Sequence, residues 1–433
     1  MTNLLITLML ALGASYNYWE ESEVVGRLKA HVGEITLAQN EGRSPGSEGE
    51  KAAAEYLYNA LLAKGVDMLY GPEGDRFGVL SPSSDTLQSR NVVGLIQGYD
   101  PQLRDHYIVI GARIDNIGMN YMTVDGRQVE QVYAGANGNA SGMALMAELA
   151  GMLSTGSLML RRSVILVGFG SSTASFAGSW HFLKHSFAKD VPNIDAMVNL
   201  DMLGLGRNGL QAFTSGNDDL NLLLNKVNIS GVPLKATCVA MEPYPSDHQV
   251  FYASEIPSVF FTGGRYAEHN TPRDTQSILD FEFMELTLEY LYNFVVGLVN
   301  LPPEHPSFHK VAPSPDHVGY DAVPWSECDV PPAFSNNYDP AAFLSKWVYT
   351  YLKYPEACVK EGSQGRVMVS FVVTKEGKVA DVKVTRSSGD PRLDDAAVAV
   401  VEISPKWRAA RVKGQKVNCS ITIPVEFKLR KRR

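Results

Sequence analysis

Long apolar runs are scarce in this chain. Of its 433 residues, the longest such run lies in MTNLLITLMLALGASYNYW at the N-terminus and covers about eleven residues, too few to span a bilayer as a helix. With Ala11 and Gly13 as small residues at a cleavage site, residues 1–14 read as a secretory signal, although no Lys or Arg precedes the run; an uncleaved anchor is the rival reading. No membrane span is expected beyond it. Positive charge is also in deficit. Lys and Arg number 39 against 47 Asp and Glu, a formal charge of −8, which argues against a general nucleic-acid binder. The basic end KLRKRR is short and reads as a solvated tail. Cysteine is sparse: Cys238, Cys328, Cys358 and Cys419. In an oxidising compartment they permit disulfides, with three possible connectivities, while buried free thiols fit equally well.

What is present divides the chain in two. Residues 301–335 hold eight of its 23 prolines and little apolar periodicity, which marks a linker over 301–332. Before it, β-rich runs alternate with helical ones. HYIVIGARID, SVILVGFGSS, AMVNLDMLG and SVFFTGG each break into a Gly- or Ser-rich loop. EKAAAEYLYNALLAKGV, GMALMAELAGML and FMELTLEYLYNFVVGLV carry helical patterns. This order predicts an α/β domain over 15–300 with a mostly parallel central sheet flanked by helices. Ligands of such sheets sit beyond the carboxyl ends of the strands. Arg113, Asp115, Ser171 to Thr173, Asp201 and the loop Gly263 to Thr275 therefore matter most.

After the linker, GRVMVSFVVTKEGKVADVKVTRSS reads as two alternating strands around a KEGK turn, and VNCSITIPVEFKL as a third. LDDAAVAVVEISPKW and PAAFLSKWVYTYLKYP read as helices, the latter stopped by Pro355. A small α+β module over 333–433 with an exposed three-stranded sheet is expected.

The segments GRSPGSEGEKAAAEYL, RNVVGLIQGYD, GARIDNIG, GANGNASG, FGSSTASFAGSWHF, VNLDMLGLG, SDHQVF and EHNTPRDT occur in the order in which the co-catalytic zinc aminopeptidases carry their motifs. From Gly42 to Leu301 the chain resembles that family, which includes glutamate carboxypeptidase and glutaminyl cyclase relatives. The resemblance implies two zinc ions held by two His, two terminal carboxylates and a bridging Asp, with a Glu as general base. At the matching positions this chain has Arg113 for the first His and Gly138, in GANGNASG, for the bridging Asp. Ser172 and Thr173 stand for the base and the next ligand Glu. Asp201, His269 and the orienting Asp115 are kept. Arginine offers no lone pair and glycine no side chain, so neither ligates zinc. A serine cannot replace a carboxylate base worth roughly 10²–10⁴-fold. A single-zinc site of Asp201, His269 and Asp247 or His248 is a remaining possibility, and Asp201 and His269 as ordinary polar strand-end residues is another. Ser141 reads as a helix-start residue rather than a nucleophile. Family members without metals, such as the transferrin receptor and nicastrin, serve in binding and assembly.

The second module resembles the C-terminal domain of TonB proteins, through YPEACVKEGSQGRVMVSFVVTKEGKVADVKV, LDDAAVAVV, PKWRAARVKGQKV and ITIPVEFKL. The resemblance implies addition of an outer-membrane receptor segment to a sheet edge. Together these readings predict an exported or periplasmic protein that binds peptide or envelope protein, with no catalytic residues, no metal and no cofactor. The alternatives are an active zinc exopeptidase, with zinc as cofactor, and a TonB-type transport adaptor. One geometric expectation follows from losing the metals: a buried acid left behind needs a new cation. Arg113 should therefore pair with Asp201, with Asp115 close by.

Overall fold

A computed structural model describes residues 21–80, 86–124, 127–308 and 322–429. The expected signal at 1–14, part of the expected linker and the last basic residues lie outside the described residues.

Among the described residues, eleven strands form the first domain. They are β1 (Asp67–Met68), β2 (Asp75–Leu80), β3 (Thr86–Ile96), β4 (Tyr107–Arg113), β5 (Met119–Val124) and β6 (Arg127–Val132). The remainder are β7 (Ser163–Phe169), β8 (Ile194–Leu200), β9 (Leu210–Phe213), β10 (Ala236–Cys238) and β11 (Ser258–Thr262). The main sheet runs β1-β3-β7-β4-β8-β11-β9-β10, with β2 on β3, while β5 and β6 form a separate hairpin. Its centre is parallel: β7 on β4, β4 on β8, and β8 on β11. Antiparallel pairs flank it, β3 on β7 and β11 on β9. Every residue of β7 is buried, as a strand covered on both faces requires.

The helices show why these segments fold as they do. Glu48–Ala63 starts at Ser47, whose hydroxyl accepts from the Glu50 amide, while the Glu50 carboxylate accepts from the Gly46 amide at 2.7 Å. This is a reciprocal cap. The helix ends before Gly65, at φ +79. Ser141–Thr155 is apolar around most of its circumference and almost wholly buried. Ser141 opens it but does not cap it, since its hydroxyl donates to the Asn137 carbonyl.

The second domain contributes β12 (Val323–Pro324), β13 (Gly365–Val373), β14 (Val379–Arg386), β15 (Ala410–Val412), β16 (Gln415–Val417) and β17 (Cys419–Phe427). Its sheet runs β12-β17-β13-β14. Val367, Val369, Phe371 and Val373 point into a core shared with Leu393, Ala397, Val400 and Val401 of the helix Pro391–Glu402. The KEGK turn places Gly377 at φ +82, where a Cβ would stand 2.1 Å from the Trp407 carbonyl oxygen. The helix expected from PAAFLSKWVYTYLKYP runs without interruption from Pro340 to Tyr351, with a wider π-type turn over Leu344–Val348, and stops before Pro355.

Two expectations for this module need correction. The sheet has four strands, because Val323 and Pro324 from the Pro-rich stretch pair with Cys419 and Ser420. Its outer face is also not exposed: Ser370 and Val372 are buried. The alternation of polar residues along these strands reads as a solvent face, yet what lies opposite is the polar cleft of the first domain. The Arg386 guanidinium donates to the carbonyls of Ile117 and Met119, and the Tyr133 hydroxyl to the Ser387 carbonyl at 3.1 Å.

Candidate functional site

The carboxyl ends of the central strands bring the sequence-marked residues together. Arg113 is the last residue of β4, and Asp201 directly follows β8. Arg113 Nε donates to Asp201 Oδ1 at 3.1 Å, and Arg113 Nη1 to the Asp115 carbonyl at 3.1 Å. Both partners of the ion pair are buried. Burial opposes charge on the guanidinium, but the Asp201 and Asp115 carboxylates outweigh it and hold Arg113 protonated. Asp201 Oδ2 accepts from the Ser246 hydroxyl at 3.0 Å, and the Asp201 carbonyl from the Tyr244 hydroxyl at 3.0 Å. The carboxylate is therefore satisfied from two sides. The pairing expected of Arg113 is present, through one nitrogen rather than a two-pronged fork.

Asp115 is close by, but its carboxylate serves the neighbouring loop. It accepts from the amides of Ser172 and Thr173 at 2.7 and 2.8 Å, and from the Thr173 hydroxyl at 2.5 Å. Burial nevertheless raises its pKa. Ser172 and Thr173 are thus tied down by their backbone to an acid behind them.

Gly138 leaves a space that other groups crowd. A Cβ there would meet Arg113 Nη2 at 3.1 Å, Tyr266 OH at 3.2 Å and Asp274 Oδ2 at 3.4 Å. Asp274 accepts from the amides of Asn137 and Gly138 at 2.8 and 3.1 Å, and from the Tyr266 hydroxyl at 2.6 Å. An acid therefore does serve this loop, but it arrives from the EHNTPRDT segment. His269 sits beside the Tyr266 ring, 5.4 Å between centroids. Burial, then Arg113 and Arg265, lower its pKa to about 3, so it is neutral near pH 7.

Asp247 borders this cluster, where burial and the nearby Asp115 and Asp201 carboxylates all push its pKa up, whereas His248 does not join it. The Asp247 carboxylate accepts from the Ser179 hydroxyl at 2.7 Å, and burial pushes its pKa up to about 7. His248 stacks on Phe260 at 4.6 Å and faces Glu242 at 2.7 Å, away from Asp201. Among the described residues, no three His, Cys, Asp or Glu side chains group so as to hold a metal. The donor set explains this. A guanidinium, a glycine and Thr173 stand where the resemblance calls for ligands and Ser172 where it calls for the base, and Arg113 brings a fixed positive charge to Asp201. The residues do not fit a zinc pair.

These groups open into a cavity of about 220 Å³ between the two domains. Arg113, Asp201, His269 and Arg265 line it from the first domain, with Phe176, Trp180 and Tyr244 as aromatic wall. Ser370, Asp381, Lys383 and Thr385 close it from the sheet of the second. Sequence reasoning missed Tyr244, Tyr266, Asp274 and the whole roof. Asp274 and Tyr266 lie in or beside the loop that the strand pattern marked. The roof had no local signal.

Comparison with known proteins supports both resemblances. Residues 91–295 match the model of peptidase family M28, and residues 350–429 that of the Gram-negative bacterial TonB protein C-terminal. LapB from Legionella pneumophila superposes with a TM-score of 0.50 at 18% identity, over 64% of this chain and 72% of that one. BSAP, a zinc aminopeptidase from Bacillus subtilis, gives 0.50 at 13%, over 63% and 94%. These are likenesses of fold. Protein TonB of Xanthomonas campestris is 38% identical over 79 residues, 18% of this chain and 34% of its own length. Protein TonB of Haemophilus influenzae is 31% identical over 86 residues, 20% and 31%. The chain thus spans about a third of the length of these relatives.

Proposed function

We propose that this chain, an M28 peptidase-like fold fused to a TonB C-terminal domain, binds peptide or protein at the cell envelope and does not hydrolyse it. One observation carries the reading: the Arg113 guanidinium is held by Asp201 and the Asp115 carbonyl at the carboxyl ends of the central strands. A protein cation stands where the resemblance calls for a metal ligand. Hydrolysis there would lack both a metal-activated water and a carboxylate base at 172.

Recognition does not need either group. The cavity offers aromatic walls and three cations, Arg113, Arg265 and Lys383, against the carboxylates of Asp201 and Asp381. That balance suits the carboxylate end or an acidic side chain of a short peptide. Elemental analysis of purified protein, run beside a peptidase assay, tests the reading. We expect no stoichiometric zinc and no release of amino acids. A chelatable zinc with activity that follows it would overturn the reading in favour of an exopeptidase.

A second reading has its own support. β12 pairs with β17 only at Cys419 and Ser420, and β17 runs on to Phe427 with no further strand on that side among the described residues. Pro424 offers no donor there and the Glu426 amide already donates to the Tyr349 hydroxyl at 3.3 Å, so an extended segment added to this edge would centre on Thr422. Titration of the full chain with receptor-derived peptides should shift the amides of Ile421 to Ile423 and of Val425 to Phe427 on β17. Absence of such shifts across a broad panel would count against a TonB-type adaptor role.

A further inference from the structure

The segment Ala322–Phe334 leaves the Pro-rich stretch and wraps the second domain as a strap. Val323 and Pro324 pair with Cys419 and Ser420, and the Val323 amide donates to the Asn418 carbonyl at 2.8 Å. Further on, Val330 exchanges hydrogen bonds with Arg411 at 3.1 and 2.8 Å, and Ala333 bridges to Arg408. Between these fixed points lies Cys328. Its Sγ is 3.7 Å from the Sγ of Cys419, the first residue of β17. Both are free thiols, Cys328 half-buried and Cys419 buried. The other two cysteines are placed elsewhere. Cys238 lies on β10 of the first domain, and Cys358 faces Asp390 at 3.5 Å. Of the three connectivities open to four cysteines, the fold brings only one pair into contact.

We propose that Cys328 and Cys419 form a reversible disulfide that locks the strap onto the sheet of the second domain. A disulfide needs its sulfurs at about 2.0 Å, which a change of side-chain torsion at the half-buried Cys328 can supply from 3.7 Å. The oxidant is a second disulfide, carried by a small thiol or an oxidoreductase. The Cys328 thiolate attacks one of its sulfurs and releases the first thiol. Cys419 Sγ then displaces the second from the mixed disulfide and gives up its own proton. Two hydrogens leave the protein and the oxidant departs as two thiols. Because backbone pairs hold the strap on both sides of Cys328, the bond adds a covalent tie without moving the fold.

The position gives the bond a consequence. Ala322 and Ser420 both line the cavity between the domains. The strap also occupies the first positions on the edge of β17. Oxidation therefore fixes the rim of the cavity and limits strand addition to residues after Ser420. Reduction leaves the strap held by its hydrogen bonds and by the packing of Trp325 and Phe334 on the core of the second domain. This inference does not depend on whether the cavity binds peptide.

The test uses the full chain equilibrated in glutathione buffers of graded ratio, then denatured and alkylated. In oxidised buffer we expect peptide mapping to show one 328–419 link within the chain. Cys358 should be alkylated, and the exposed Cys238 either alkylated or carrying glutathione. No 328–419 link at any ratio, or a link through Cys238 or Cys358, would overturn the pairing. Hydrogen exchange at Val323 and Val330 reads the lock directly. It should slow about tenfold on oxidation and show no redox response in Cys328→Ser. Equal exchange in both redox states of the parent would overturn the locking role even if the bond forms.

Discussion

At the scale of single residues, the site is a set of substitutions that support one another. Arg113 stands where the resemblance calls for a neutral ring, and Asp201 is its partner at 3.1 Å. Removing one member of such a buried pair strands the other. Arg113→Ala should cost on the order of 3–5 kcal/mol, read as a shift of the urea midpoint. Arg113→Ala with Asp201→Asn should recover part of that loss, because no buried charge then remains. A single variant as stable as the parent would contradict the geometry. Gly138 gives a second prediction. Restoring an acid by Gly138→Asp places a carboxylate against Asp274 Oδ2 and Tyr266 OH, with only 3.1–3.4 Å to spare at the Cβ. We expect destabilisation of about 1–3 kcal/mol and no zinc uptake, measured by denaturation and elemental analysis. Zinc-dependent hydrolysis by this single variant would show that the other positions have been misjudged.

At the scale of elements, one acid ties three helices. Glu148, in Ser141–Thr155, accepts from Arg27 Nε at 2.7 Å and from Lys64 Nζ at 2.8 Å, and pairs with His31 at 3.1 Å. Burial by itself would raise its pKa, but the bonds from His31, Lys64 and Arg27 outweigh that and hold it at about 2. A folded value below the unfolded one of about 4.5 means that the unfolded chain takes up the proton first. The stability due to this group is complete above about 4.5 and is lost as pH falls through about 2. Glu148→Gln should therefore flatten the decline in denaturant midpoint between pH 4.5 and 2. An unchanged acid profile would mean that other groups set it. The helices themselves were legible in the sequence. Ser47 with Glu50 announces a capped start, and the all-round apolar pattern of Ser141–Thr155 announces burial. The contact among them was not legible, because Arg27, Lys64 and Glu148 are far apart in the chain and look like surface charges.

At the scale of the whole molecule, the second domain is a roof over the first. Its docking includes buried polar contacts: Arg386 on the carbonyls of Ile117 and Met119, and Tyr133 on the Ser387 carbonyl. Burial lowers the pKa of Arg386, as for a cation held by carbonyl dipoles without a nearby acid. Arg386→Ala should release the roof. The side chains of Ser370, Val372 and Lys383, which line the cleft, should gain solvent accessibility in hydroxyl-radical footprinting while the backbone amides of β13, paired on both sides within the sheet, and those of β4 and β7 keep their protection. Equal side-chain accessibility in the variant would show that the roof is held by other contacts.

The sequence by itself determined both domain types, the positions of the main helices and strands, and the presence of Arg113, Gly138, Ser172 and Thr173 at the motif positions of the resemblance. Each rests on local information: a period of apolar residues, a cap, a Gly-rich loop, or a residue type at a motif position. It also implied the Arg113–Asp201 pair, because a buried acid without its metal requires another cation. Only the tertiary structure decided that Asp274 serves the loop where an acid is missing, that Cys328 meets Cys419, and that the polar face of the second sheet closes the cleft instead of facing water. These depend on which distant surfaces meet. Alternation along a strand says that one face is polar, and it cannot say whether the polar partner opposite is solvent or protein.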